Sequence, residues 1–436
     1  MRTFIITSSQ VRKLPRWGLL LVCVLYVLPG LLGRDPWRVA DAAGFGIAFT
    51  MFEGTPLDWL VPNVAGQTLA GEGPLPFALA AGFAKLMSWI APALEGLIPG
   101  LEITPHLSIR LAAIIGLSVM LAANWYAIYL LTRRPGVAPS DPLGVGANAT
   151  DFARAMADSG LLILIATFGL IARMHETTAV AAQMTLIALF ILGLAMSLDS
   201  PTRGTVLAAL AIAATTATRG LPIVLPMLLT WLALLWICQP FTLVRATALK
   251  VGMPLLIGAS LIWPAFLIAN GSTEAIVFLT EWLLWNTSSL GLPSLESLQY
   301  LGRYAPWFFW PAWPLAAWAI YRWAGRFDQP AVALPVLLAA LFLAAALCAT
   351  DPGEAWLLGA TLPLAVLAAI GLPTLTRAVV NLIDWFAVML FSLFGFAIWA
   401  YWLALLTGWP PRMAASARAL TPGFMAHWSP LDLALA

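Results

Sequence analysis

Apolar residues in this chain fall into long runs broken by short polar joints. A helix needs about 17–25 mainly apolar residues to cross a bilayer. Runs on that scale stand at 17–32, 108–131, 159–174, 178–198, 204–219, 221–238, 251–269, 305–321, 331–349, 355–373 and 385–407. The pattern therefore predicts an all-α polytopic membrane protein with about eleven transmembrane helices. The stretch 74–90 is also apolar, but it is short and carries Lys85, which is costly at mid-bilayer. It is predicted to lie as an interfacial helix on the outer leaflet. A second interfacial helix is predicted over 35–52, with Pro36 at its start. The Gly/Pro/Ala-rich stretch 135–158 reads as a flexible inner linker. No internal repeat, coiled-coil heptad or low-complexity tract is visible.

Composition leaves no soluble alternative. Of 436 residues, 61% are hydrophobic and only 10% charged, with a mean hydropathy of +0.90. A soluble protein carries roughly a quarter charged residues, so soluble enzymes, nucleic-acid binders and disordered chains are excluded. The three cysteines, Cys23, Cys238 and Cys348, lie inside apolar runs and give neither a disulfide framework nor a metal-ligand spacing. They read as packing residues.

Charge placement orients the chain. The first run follows Arg2, Arg12, Lys13 and Arg16 and has no small-residue cleavage site after it, so it reads as a first span rather than a signal peptide. If 74–90 does not cross, the inner connections and the amino terminus together hold 13 of the 22 basic residues. The positive-inside rule then puts the amino terminus in the cytoplasm. The outer connections hold 14 of the 20 acids, which points to the outer face as the place where function concentrates. Two outer connections are long, 34–107 and 270–304, within what reads as a single domain over 1–436.

Four polar elements on that face can carry chemistry. The first is Gly33-Arg34-Asp35-Pro36-Trp37-Arg38-Val39-Ala40-Asp41, with two carboxylates and two guanidiniums at the membrane surface. A carboxylate there can act as a general base and an arginine can hold a phosphate. The same residues serve equally as a helix cap and interfacial anchors. The second is Glu72 in Ala70-Gly71-Glu72-Gly73-Pro74, a ligand or base, or else a helix N-terminal charge favoured by the dipole. The third is the turn Arg173-Met174-His175-Glu176, where His175 can orient a substrate or simply be part of a polar hairpin. One histidine and one carboxylate do not make a metal site. The fourth is Thr218-Arg219-Gly220-Leu221, whose Arg219 can hold phosphate or snorkel. Arg303 belongs to the same face. The 21 tryptophans gather at span ends as an aromatic belt, and some can stack on sugar. Polar residues thus converge on one outer face rather than the midplane. That favours an enzyme working on a lipid-borne substrate over a transporter.

These features in this order resemble bacterial polyprenyl-phosphate-dependent glycosyltransferases of the membrane-embedded GT-C fold. The most similar members are the lipid A aminoarabinose transferases and the protein O-mannosyltransferase-like enzymes. The resemblance rests on Arg38-Val39-Ala40-Asp41-Ala42, Trp59-Leu60-Val61-Pro62 with Gly66, and Glu72-Gly73-Pro74-Leu75. It continues through the hairpin at His175, Arg219-Gly220-Leu221, Asp384-Trp385-Phe386 and Thr407-Gly408-Trp409-Pro410. It implies a sugar donor on undecaprenyl phosphate, a lipid or protein acceptor, membrane lipids as surroundings and no nucleic acid. It places the protein in a bacterial inner membrane with a periplasmic active face.

In that family an aspartate of the first outer loop acts as base or positions the acceptor. It maps to Asp41, with Asp35 as alternate. Arg219 maps to a holder of the donor phosphate, and Arg34, Arg38, Glu72, Lys85, His175 and Arg303 stand as further substrate-binding candidates. No cofactor is assigned, and a divalent metal is left open because the family has members with and without one. The chain departs from the family where Asp-Glu becomes Asp41-Ala42 and Glu-Lys-Pro-Pro becomes Gly71-Glu72-Gly73-Pro74. It also ends soon after the run 385–407, where relatives continue. Two other readings stand beside the transferase: an impaired homologue that still binds polyprenyl phosphate, and a transporter of lipid-linked sugar.

Overall fold

The structure, a computed structural model, describes residues 15–32, 35–36, 38–97, 102–137 and 148–420. Arg34, one of the candidate binding residues, lies outside them. The chain divides into two compact units, 1–373 and 374–436.

The first unit opens with α1 (Arg16–Val27) and α2 (Val39–Glu53), then a two-stranded antiparallel hairpin, β1 (Asn63–Val64) and β2 (Gln67–Thr68). Next come α3 (Leu75–Leu97), α4 (Pro105–Thr132), α5 (Ala149–Ala166), α6 (Phe168–Arg173), α7 (Ala179–Ser197), α8 (Pro201–Thr216) and α9 (Leu221–Ile237). Two short turns, α10 (Gln239–Thr242) and α11 (Arg245–Thr247), lead into α12 (Met253–Asn270). The unit closes with α13 (Thr273–Ser288), α14 (Leu295–Phe308), α15 (Ala312–Arg322), α16 (Pro330–Leu347) and α17 (Glu354–Gly371). The second unit holds α18 (Arg377–Thr407), exposed along nearly its whole length, and α19 (Pro411–Leu420).

Against about eleven predicted spans, seven helical segments among the described residues are long and apolar enough to cross a membrane by length and composition. Two shorter apolar helices, Arg16–Val27 and Leu221–Ile237, accompany them. Some predicted runs are interrupted. The run 159–174 breaks at Thr167, whose backbone turns extended, and the Phe168 amide then donates to the Trp310 carbonyl at 3.0 Å. The run 305–321 is divided between α14 and α15. The segment predicted as a non-crossing interfacial helix over 74–90 forms a longer helix, α3, of 23 residues, which is one of the seven long and apolar enough to cross.

Two local expectations are corrected. The linker predicted over 135–158 is helical from Ala149 onward. The Asn148 side chain caps that helix by accepting from the Thr150 amide, and Phe152, Ala153, Met156 and Ala157 form a buried stripe at helical spacing. The helix predicted to start at Pro36 starts at Val39 instead, because Arg38 is extended.

Side-chain caps define other starts. Thr104 accepts from the Leu107 amide ahead of Pro105, and Thr178 accepts from the Ala181 amide at the start of α7. The core is a bundle in which α17 is buried residue by residue from Leu357 to Gly371, as an all-round apolar helix must be. Helices α7 and α8 pack backbone to backbone. A Cβ on Gly204 would fall 2.1 Å from the Ser197 nitrogen, and one on Gly193 would fall 2.6 Å from the Ala208 nitrogen. Small residues permit such close approach where bilayer lipid offers no hydrophobic drive for association. Helices α4 and α7 run parallel. Arg133 and Arg134 at the end of α4 pair with Asp199 just past α7, and the starts of both helices carry the cluster described next.

Candidate functional site

At the amino-terminal ends of α4 and α7 the polar residues assemble in layers. Deepest lies Asp41, on the first turn of α2, with no exposed surface. The Arg110 guanidinium meets it edge on, Nη1 to Oδ1 at 2.9 Å and Nη2 to Oδ2 at 3.0 Å. The Thr177 amide donates to Oδ1 at 2.7 Å, and Arg110 Nη1 also donates to the Thr177 hydroxyl at 3.0 Å. Gly44 makes this approach possible. A Cβ there would lie 1.9 Å from the Thr177 carbonyl oxygen.

Above it, Glu176 is 3% exposed. Its Oε1 accepts from Arg38 Nη1 at 3.2 Å and from Arg173 Nη1 at 3.4 Å, while its Oε2 is buried with no hydrogen-bond partner. Burial raises its pKa against the lowering pull of Arg173 and Arg38, and the nearby charge of Asp41 raises it further. Arg173 also faces Glu354 of α17, Nε to Oε2 at 3.5 Å.

The third layer joins Glu72 to Arg219. Backbone bonds from the Gly73 amide to the Thr218 carbonyl (2.9 Å) and from the Leu75 amide to the Ala217 carbonyl (3.1 Å) lay the two segments side by side. Arg219 Nη1 donates to the Gly71 carbonyl at 2.7 Å and to Glu72 Oε1 at 3.2 Å. Its guanidinium stands 5.0 Å from the centre of the Trp285 ring. The Ala179 amide donates to Glu72 Oε2 at 3.2 Å, so this carboxylate caps α7 at its positive dipole end. Burial raises the Glu72 pKa against Arg219, and burial lowers that of Arg219 against Glu72. The charge of Arg173 acts on both groups, which ties the layers into one site.

An apolar cavity of about 160 Å³ opens between α3, α4 and α7. Its walls include Leu79, Ala113, Leu117 and Leu186, and Glu176, Thr177, Thr178 and Thr218 form its polar end. The arrangement joins a polar site rich in arginine to an apolar slot, which suits an amphiphile with an anionic head. Among the described residues no group of three histidine, cysteine or acidic side chains stands together to hold a metal ion.

The structure brings Asp41, Arg38, Glu72 and Arg219 of the expected residues together. His175 adjoins them in sequence but turns to α1, its Nε2 lying 2.6 Å from the Tyr26 carbonyl oxygen. Asp35 is exposed and lies 3.9 Å from His106. Lys85 stands on an exposed face, 5.9 Å from the centre of the Phe52 ring. Arg303 is exposed on α14 beside Tyr304. In the turn at 173–176 sequence reading singled out His175 rather than Arg173 and Glu176, and it missed Arg110 altogether. Its signal was a lone arginine at the start of an apolar run, where an ionisable side chain calls for a partner.

No protein-family profile and no curated protein matches the chain by sequence. Among solved structures it is similar to ArnT from Cupriavidus metallidurans bound to undecaprenyl phosphate. The TM-score is 0.61 at 15% identity, over 83% of this chain and 60% of that one. The same protein in its apo state gives a TM-score of 0.60 at 14% identity, over 84% and 61%. This chain thus spans about 60% of the length of the ArnT chain. Its fold is the polytopic GT-C fold that the sequence resemblance led one to expect.

Proposed function

We propose that this chain is a membrane glycosyltransferase. It takes a sugar from an undecaprenyl-phosphate carrier and passes it to a lipid or protein acceptor at the periplasmic face of a bacterial inner membrane. One observation carries the reading: Glu176, which Arg38 and Arg173 hold, lines the polar end of an apolar slot, next to the segment that carries Arg219. That pairing fits the two halves of a polyprenyl phosphate, and ArnT, whose fold this chain shares, has been crystallised with undecaprenyl phosphate.

Arg173 and Arg219 are the phosphate holders in this reading. Arg219 has a buried Nε without a hydrogen-bond partner, Arg173 Nε has only the 3.5 Å ion pair with Glu354, and a guanidinium matches a phosphate through paired N–H donors. The isoprenoid end enters between α3, α4 and α7. The full pairing of Asp41 favours a second reading, a homologue that binds the carrier without transferring sugar.

Undecaprenyl phosphate and undecaprenol, each titrated against the purified chain in lipid nanodiscs, separate the possibilities when combined with transfer of labelled sugar in membranes. Preference for the phosphate together with transfer supports the transferase. Preference without transfer supports the second reading. No preference for the phosphate sinks both.

A further inference from the structure

We propose that Glu176 is the proton acceptor for an incoming hydroxyl, which enters at the Thr178 and Thr218 end of the cavity. This deepens the transferase reading and rests on it. Three observations lead to Glu176. It lines the cavity, its side chain is 2% exposed, and its Oε2 has no partner. A buried carboxylate oxygen left unpaired is unfavourable, and a ligand donating an O–H removes that cost. The two other carboxylates of the cluster have no such vacancy. Asp41 uses both oxygens on Arg110 and Thr177. Glu72 uses Oε1 on Arg219 and Oε2 on the Ala179 amide.

The acceptor hydroxyl oxygen forms a bond to the anomeric carbon of the donor sugar. The bond from that carbon to the phosphate oxygen breaks, and its electron pair leaves on undecaprenyl phosphate. The hydroxyl proton passes to Glu176 Oε2 and later to water. The arginines that hold Oε1 keep the other oxygen in place throughout. A hydroxyl acceptor follows from the same geometry, since a phosphate acceptor would bring a second anion against an ionised carboxylate.

The charges around Glu176 set its basicity. They are Arg38 and Asp41 from the α2 side, Arg173 from α6, Arg110 from α4 through Thr177, and Glu354 of α17 through Arg173. Tyr300 of α14 stands beyond them, within the field of Glu354 and Arg173. Burial raises the pKa of Glu176, which makes it a stronger base than a solvated carboxylate.

The test uses membranes carrying the full chain, a panel of labelled undecaprenyl-phosphate sugars and the acceptors present in those membranes. Thermal protection of the purified protein by undecaprenyl phosphate is measured in parallel. Glu176→Gln is expected to keep that protection and to lose transfer by about 10²–10⁴-fold. Glu176→Asp is expected to restore part of the rate and to move the acid limb of its pH profile to lower pH. Transfer by Glu176→Gln within about twofold of the unmodified chain overturns the inference and leaves the transferase reading intact. Equal loss of binding and transfer in both variants makes Glu176 a structural residue and overturns it too. An unmodified chain that transfers from no donor overturns the reading and the inference together.

Discussion

Arg110 and Asp41 meet through both nitrogens and both oxygens, at 2.9 and 3.0 Å, with side chains 1% and 0% exposed. The pair joins α4 to α2, and the Thr177 amide on Asp41 adds the approach to α7. Breaking a buried pair from one side leaves an uncompensated charge and costs about 3–5 kcal/mol, whereas replacing both members with apolar groups is often neutral. Asp41→Asn and Arg110→Met are each expected to lower thermal stability in detergent by that order. The double change Asp41→Leu with Arg110→Met is expected to recover most of it. Additive losses in the double variant would show that the two side chains do not act as a unit.

This bears on how an Asp41→Asn variant is read. A loss of transfer in that variant, taken alone, does not identify a base, because the same change unpairs Arg110. Activity has to be compared with folded fraction, and the double variant supplies that comparison.

Glu176 links folding to pH in a direction opposite to most carboxylates. Its folded pKa lies above its ordinary value because burial outweighs its arginines. The folded state therefore binds the proton more tightly than the unfolded chain. That contribution is fully present below the unfolded pKa, about 4.3 for a glutamate, and is lost as pH rises through the folded value. The stability advantage of the unmodified chain over Glu176→Gln is expected to shrink as pH rises across that window. A difference that grows with pH would mean that the arginines win and the pKa is lowered.

Much of the architecture was legible because the bilayer imposes it. Long apolar runs and the arginines between them outlined most helices, and the outer polar elements picked out Asp41, Glu72 and Arg219. What failed to read was set by contacts distant in sequence. The break at Thr167 depends on the Trp310 carbonyl, which no local pattern reveals. Arg110 was hidden because an apolar run absorbs a single charge, and its partner lies 69 residues away. Lys85 and Arg303 were named for being basic near the predicted face, and neither side chain turns toward the cluster. Asp35 stayed open as an alternate to Asp41 because spacing does not tell a buried carboxylate from an exposed one.

The seam between α7 and α8 offers a prediction independent of function. A Cβ on Gly204 would meet backbone of Ser197 and Gly193, atoms that cannot rotate away. Gly204→Ala is expected to cost about 1–3 kcal/mol through overpacking. Gly258, on α12, has nothing within 4 Å of a built Cβ, so Gly258→Ala is expected to be neutral or to stabilise by up to about 1 kcal/mol through helix propensity. Thermal unfolding of the two alanine variants side by side checks the contrast, and equal effects would argue against the tight seam.

Glu72 and Arg219 set up a competition that the transferase reading makes measurable. The Arg219 guanidinium is shared between the Gly71 carbonyl and Glu72 Oε1. A phosphate that binds Arg219 must share or displace that carboxylate, and the two anions repel each other. Glu72→Gln removes the competing charge, keeps an oxygen for the Ala179 amide, and leaves the arginine in place. It is therefore expected to tighten binding of undecaprenyl phosphate, by up to about tenfold for 1.4 kcal/mol of relieved repulsion. Arg219→Gln is expected to weaken binding by about tenfold or more, since a charge-assisted hydrogen bond contributes about 1.5–3 kcal/mol. Arg219→Lys is expected to fall between the two, because an ammonium keeps the charge but not the planar fork that stacks on Trp285 and pairs with phosphate. Equilibrium titration of the three variants with undecaprenyl phosphate gives the order directly. Weaker binding by Glu72→Gln would mean that Glu72 orients Arg219 for the phosphate rather than competing with it.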